Sequence, residues 1–261
     1  MGDQHLTDHV LAQALIKIPQ KRRQARLLVF GGDDDGKFHG GMIQSFAAFA
    51  QHDAAGYYHG MLEQLPFGHA GCDEVGRGPL IGDVVAAAVM FHGRPPEGIR
   101  DSKKLSAKKR AQLAGEILAV AHVAFGHATP KEIDQIGIHK ASLTAMKRAV
   151  EGLSPTPIFV AVDGKFLPEL AMECSAIIGG DDKILEIAAS SIVAKVRRDG
   201  MMGDLHQRHP EYGFDRHHGY PTKAHLEALR SHGVLPQHRR SYRPVRDLLA
   251  VKNDKNNTPD A

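Results

Sequence analysis

The chain has 261 residues, 42% of them hydrophobic and 24% charged, with a formal net charge of +3. That is enough apolar material for one large domain or two small ones, and no apolar run nears the roughly 18 residues that a membrane span needs. Cys72 and Cys174 are far apart and form no CxxC pair. Their spacing argues against a disulfide framework or a zinc site and fits a reducing, cytoplasmic setting.

Residues 1–66 read differently from the rest. Acids precede the first short apolar stretch, which is wrong for a secretory signal. Leu6, Val10, Leu11, Leu15 and Ile18 have helical spacing over residues 5–18, and Pro19 stops the pattern. The segment GGDDDGKF at 31–38 nearly matches a phosphate-binding loop. However, Phe38 stands where a metal-ligating hydroxyl belongs, and three aspartates would repel the phosphates. Little ordered structure is expected up to residue 66, which is read as an extension, a leader or a separate interaction module.

From residue 67 onward, strand-like and helix-like segments alternate. Residues 84–90 read as a strand and 106–123 as a helix with Ser106 at its N-cap. Residues 131–152 read as one or two helices, and 158–162 as a short buried strand. A helix is expected over 184–199 with small residues, Ala188, Ser191 and Ala194, on one face. Another is expected over 222–232, stopped by Gly233. Such alternation indicates an α/β domain of about 180 residues. Between Lys195 and Arg246 there are eleven Lys or Arg against five Asp or Glu, plus seven His, a local excess of +6 that suits a polyanion such as nucleic acid. Gly76, Gly78 and Gly82 give a spacing one residue too long for a dinucleotide fingerprint. The seventeen histidines lack zinc spacing and read mostly as surface residues or polyanion contacts.

Four acids stand out. Asp73 and Glu74 are adjacent, just before Gly76-Arg77-Gly78. Asp163 follows the apolar run IFVAV and precedes Gly164, while Asp181 follows SAII and two glycines. Strands of α/β sheets deliver side chains to a site at their C-terminal edge in this way. Several carboxylates at one spot repel unless cations neutralise them, and hard oxygen ligands suit Mg2+ or Mn2+. With a basic C-terminal region, the chemistry points to a metal-dependent nuclease that uses two ions. Successive strand residues face opposite ways, so Asp73 and Glu74 share a site only if the strand ends or bends between them.

The blocks GCDEVGRGPLIG, DSKKLS (101–106), VDGK (162–165), GD (180–181), AASSIVAKVRRD (188–199) and YGFDRHHGYPTKAHLEALRSHGVLPQHRRSY (212–242) together resemble ribonuclease HII, the bacterial type 2 ribonuclease H family, over roughly residues 67–249. The resemblance implies a ribonuclease H-like α/β fold, with a central mixed sheet flanked by helices and a small helical C-terminal portion. Residues 67–249 would be the catalytic domain and 250–261 a disordered tail. It also implies an endoribonuclease that hydrolyses the RNA strand of RNA–DNA hybrids and nicks duplex DNA 5′ to an embedded ribonucleotide, leaving a 3′-hydroxyl and a 5′-phosphate. Asp73, Glu74, Asp163 and Asp181 would be catalytic and would hold two divalent cations, Mn2+ or Mg2+.

In the family, the loop matched by Gly76, Arg77 and Gly78 approaches the ribose 2′-hydroxyl, and the tyrosine matched by Tyr220 packs on the neighbouring sugar. Ser102, Lys103 and Ser191 match substrate-backbone contacts, and Arg239, Arg240 and Ser241 are candidate duplex contacts. The family commonly has Lys-Gly-Asp and His-Lys-Gly-Tyr where this chain has Gly179-Gly180-Asp181 and His217-His218-Gly219-Tyr220, so two cations are replaced. The competing reading is a hybrid-binding module without turnover. A monomer is expected, with no membrane and no sliding-clamp partner, because the tail VKNDKNNTPDA lacks an aromatic-rich motif.

Overall fold

The computed structural model describes residues 62–256, which fall in one unit, Met61–Ala261. The helix read at 5–18 and the loop at 31–38 lie outside the described residues. In chain order the elements are β1 (His69–Val75), β2 (Val84–Phe91), α1 (Ala107–Val120), β3 (Ala121–Ala128), α2 (Pro130–Glu151), β4 (Phe159–Asp163), β5 (Glu173–Ile177), α3 (Leu185–Arg208), α4 (Phe214–His217), α5 (Lys223–His232) and α6 (Arg243–Asn256). Short 3-10 turns occupy Ser102–Lys104, Gly180–Asp182 and Pro210–Tyr212.

The five strands form one mixed sheet in the order β3-β2-β1-β4-β5. β2 pairs antiparallel with both β1 and β3, while β1, β4 and β5 run parallel. β2 is buried at every position because helices cover both of its faces. Ala86, Ala88 and Met90 pack with the Ala141, Ala145 and Ala149 row of α2. Ala87, Val89 and Phe91 pack with Leu113 and Ile117 of α1 and with Ala188 and Ile192 of α3. Full burial of each such Leu or Ile contributes about 1.5–3 kcal/mol. The small face expected on the 184–199 helix is there: Ala188, Ser191 and Ala194 are all buried, and Ser190 Oγ donates to the Gly71 carbonyl at 2.8 Å. A third cluster, built on Leu80, Ile81, Met202, Phe214 and Leu229, joins the C-terminal helices to the sheet edge.

Local signals hold at the caps. Ser106 caps α1. Thr129 and Glu132 form a capping box on α2, and Thr222 caps α5 ahead of the Gly233 stop. The segment read as one or two helices is two, joined at Gly137 (φ 79, ψ 154). The helix expected over 106–123 stops short, and residues 121–123 are strand. α1 ends at Val120 and passes straight into β3, whose Ala121 is already extended (φ −139, ψ 149) with no turn residue between. α3 runs to Arg208, past the expected end at 199 and through Gly200 and Gly203, because Met202 and Leu205 dock in the third cluster. Order also reaches beyond the 67–249 limits. Glu63 exchanges backbone hydrogen bonds with Lys183 and Leu185 (both 2.8 Å), and α6 extends to Asn256.

The same N-terminal lead is fastened by Glu186, which is 1% exposed and accepts the Leu65 N–H at 3.0 Å. Burial raises its pKa to about 7. An acid that binds its proton more tightly when folded loses stability as pH rises between the unfolded value and the folded one. Over pH 4.5–7 this amounts to a loss on the order of 3 kcal/mol. Glu186→Gln should therefore stabilise the protein at pH 8 and leave it unchanged at pH 4. Denaturant midpoints at the two pH values test this, and an equal shift at both would refute it.

Candidate active site

Asp73 and Asp163 come from neighbouring parallel strands and share the sheet face covered by α3. The β1–β4 pairing ends at Cys72 opposite Val162, so each strand delivers its acid one residue beyond the last paired position. Asp73 is 6% exposed, and its pKa is pushed well up by burial, then by the charges of Glu74 and Asp163. Two hydrogen bonds partly offset this, one from the Ser191 hydroxyl and one from the Glu74 N–H, the latter at 2.7 Å. Burial also raises Asp163, whose Oδ1 accepts the Gly180 N–H at 2.7 Å. That bond draws the Gly180–Asp182 turn, and Asp181 with it, to the end of β4.

Glu74 departs from the expectation that β1 ends or bends after Asp73. On the β2 side the ladder continues through Val75 opposite Val85. Only the β4 side is open, and there Glu74 lies within the field of Asp163. Burial raises its pKa, against the opposing effect of Arg77, whose Nη1 donates to it at 3.1 Å. Lys103 supplies the other cation of the cluster, 3.2 Å from Asp181 Oδ2. Among the described residues, no three acid, His or Cys side chains already cage an ion. The donor set nevertheless fits Mg2+ or Mn2+, which prefer carboxylate oxygens, retain several waters and relieve this repulsion.

Ser102 and Ser191 are brought together, with their hydroxyls 3.0 Å apart. Both are buried. They face each other, and Ser191 also bonds to Asp73. Ser241 is likewise taken, its Oγ and N–H both bonded to Asp134 (2.6 and 2.8 Å). His218 (φ 47) sits with Nδ1 3.7 Å from Asp199 Oδ1, which also binds Lys195. Burial, the largest influence, lowers its pKa.

Beside the acids, the Gly76–Gly78 loop is held from within. Arg239 is 0% exposed and donates to the carbonyls of Gly76 (2.6 Å), Arg77 (2.9 Å) and Gly82 (2.9 Å). The Tyr242 hydroxyl also donates to the Arg77 carbonyl (2.6 Å). In a trans peptide the C=O and N–H point opposite ways, so these bonds turn the Arg77 and Gly78 N–H groups away from Arg239. Arg198, equally buried, reaches the carbonyls of Ile81 and His218 (3.2 Å each). Gly76 needs its positive φ of 91, and a Cβ there would collide with the Arg198 guanidinium. At Gly78 a Cβ would come 3.1 Å from Tyr220 Cε1, so the tyrosine ring lies across the loop. The sequence presents Arg239 as a candidate duplex contact and gives no separate signal for Arg198. Their place in an apparent charge run hid two internal cations, and the only sequence signal was the carbonyl-rich glycine loop they serve.

A mixed sheet with acids at the ends of adjacent parallel strands and helices on both faces defines an α/β protein of the ribonuclease H-like class. A profile of the ribonuclease HII family matches residues 70–245. Ribonuclease HII of Shewanella halifaxensis is 56% identical over 192 residues, 72% of this chain and 95% of that protein. Among solved structures, ribonuclease H2 of Pyrococcus horikoshii OT3 matches with TM-score 0.61 and 26% identity, over 71% of this chain and 98% of that one. A Bst ribonuclease HIII in complex with Mn2+ shares the fold at TM-score 0.55 and 18% identity, over 71% and 70% of the two chains. The chain belongs to the ribonuclease HII family and is an endoribonuclease.

The Arg239 clamp makes a specific prediction. Arg239→Lys keeps the charge but loses the fork that spans three carbonyls. It should lower stability by about 2–4 kcal/mol, read as a shift in the denaturant midpoint, and an unchanged midpoint would show that the carbonyls find other donors.

Proposed function

We propose that the protein is a metal-dependent endoribonuclease that hydrolyses the RNA strand of RNA–DNA hybrids and nicks duplex DNA on the 5′ side of an embedded ribonucleotide. The observation that carries this reading is the pair Asp73 and Asp163 on adjacent strand ends, where the Asp163 charge raises the proton affinity of buried Asp73 beside a loop with outward amides. Asp73, Glu74, Asp163 and Asp181 would hold two divalent cations. When bound, such ions supply Lewis acidity to the attacking water and to the departing 3′-oxygen. Water adds to phosphorus as the bond to the 3′-oxygen breaks, so the products end in a 3′-hydroxyl and a 5′-phosphate.

The remaining work falls to the protein's own groups. Lys103, 79% exposed at its side chain yet reaching Asp181, is placed to exchange that carboxylate for a substrate phosphate. The Arg77 and Gly78 N–H groups, turned away from Arg239, would donate to a ribose 2′-hydroxyl, which can accept from them. The Tyr220 ring, 44% exposed and seated over Gly78, offers a flat face to the next sugar. Ser191 and the Glu74 N–H orient Asp73.

A labelled DNA duplex containing one ribonucleotide, incubated with Mg2+, Mn2+ or EDTA, tests the reading. A single nick 5′ to the ribonucleotide, lost in EDTA, is expected. Asp73→Asn should reduce the rate by about 10²-fold or more, equivalent to about 2.7 kcal/mol of transition-state stabilisation. Binding without any cut in either metal would favour the non-catalytic module instead.

A further inference from the structure

Three histidines outside the acid cluster form a continuous chain behind Tyr220. His238, in the turn after α5, accepts the Leu235 N–H at Nδ1 (2.9 Å). Its proton therefore sits on Nε2, which lies 3.2 Å from Nε2 of His225. His225 Nδ1 is 3.0 Å from the Tyr220 carbonyl. A carbonyl only accepts, so His225 carries its proton on Nδ1 and presents a bare Nε2 to His238. One arrangement satisfies all three contacts: Leu235 N–H to His238, His238 Nε2–H to His225, and His225 Nδ1–H to Tyr220.

Both rings are fully enclosed, and burial lowers the pKa of His225 to about 4 and that of His238 to about 3, so the chain is neutral. His217 stacks on His225 with centroids 4.6 Å apart and planes 12° from parallel. It serves the preceding residue in the same manner. Its Nε2 donates to the Tyr212 carbonyl (2.8 Å) and its Nδ1 accepts the Gly219 N–H (3.2 Å).

We propose that His225 and His238 are positioning residues for Tyr220, and that the segment His238–Arg239 sets the spacing between the two halves of the sugar-contacting site. The next residue along the chain, Arg239, grips the Gly76 and Arg77 carbonyls, while His238 acts through His225 on Tyr220. The gap that these two neighbours control is the one in which Gly78 meets the Tyr220 ring. A shift of either arm moves the tyrosine relative to the loop amides without touching the acids. The inference rests on the reading of Tyr220 as a sugar contact.

A double-mutant cycle tests it, with kcat/KM measured on duplex DNA carrying one ribonucleotide in Mg2+. His225→Leu should cost about 10-fold in the wild-type background and nothing further beside Tyr220→Ala, because residues acting through one another are not additive. His225→Asn, whose amide nitrogen replaces Nδ1 as the donor to Tyr220, should recover activity to within about 3-fold of wild type. Equal losses in both backgrounds, or an Asn variant as poor as the Leu variant, would overturn the inference while leaving Tyr220 in place. A fully active Tyr220→Ala enzyme would overturn both readings.

Nitrogen-15 NMR of the unmutated protein reads the same proposal without substitution and stands even if His225→Leu fails to fold. The expected result is a proton on Nδ1 of His225 and on Nε2 of His238. Any other tautomer pair would refute the chain.

Discussion

A buried guanidinium must find oxygen partners or leave its charge unsolvated, at a cost of several kcal/mol. Arg239 and Arg198 meet that demand almost wholly with backbone carbonyls, from residues 76, 77 and 82 for one and 81, 83 and 218 for the other. Burial is the chief reason that both have lowered pKa values, Arg198 to about 10, and each remains charged at neutral pH. Because the carbonyls are drawn inward, the loop beside the acids has its amide edge turned out. The C-terminal helices are therefore not an appendage to the sheet. They carry the cations that shape one side of the active site, and the third apolar cluster holds them in register.

The acid cluster follows the opposite logic. Among the described residues nothing fully neutralises Asp73, Glu74 and Asp163, and burial and the charges of neighbouring acids raise all three pKa values. Arg77, Lys103 and the Gly180 N–H soften that repulsion, but each sits where it can yield its carboxylate to another partner. A site that stays under electrostatic stress is primed for cations, and it lowers the stability of the free protein. The extensive alanine and valine packing beneath it, buried along the whole of β2, offsets this.

Much of this could be read from the sequence, and the reason is local. Asp163 and Asp181 each follow an apolar run and have glycine beside them, so the chain itself marks where strands stop and side chains emerge. Capping signals at Ser106, Thr222 and Gly233 likewise act within a few residues. The passage from α1 to β3 could not be read, because no glycine or proline marks it and pairing with β2 alone selects the extended form. Nor could the continuation of α3 through two glycines, which the distant docking of Met202 and Leu205 sustains. For Glu74 the alternation rule gave the wrong condition. A strand can be finished on one side and paired on the other, and that asymmetry frees its side chain.

The basic stretch shows how far composition can mislead. Eleven cations between Lys195 and Arg246 suggest an electrostatic surface for nucleic acid. Yet Arg198 and Arg239 are interior, Lys195 is paired with Asp199, and His225 and His238 are core residues whose protons are committed to neighbours. What remains for a polyanion is a smaller set of exposed side chains, among them Arg216, Lys223 and Arg243. Exposed and interior cations are thereby separated in the fold. The exposed cations can attract any backbone phosphate, with a strength set by salt. The buried ones fix the geometry of the Gly76–Gly78 loop, and salt does not reach them.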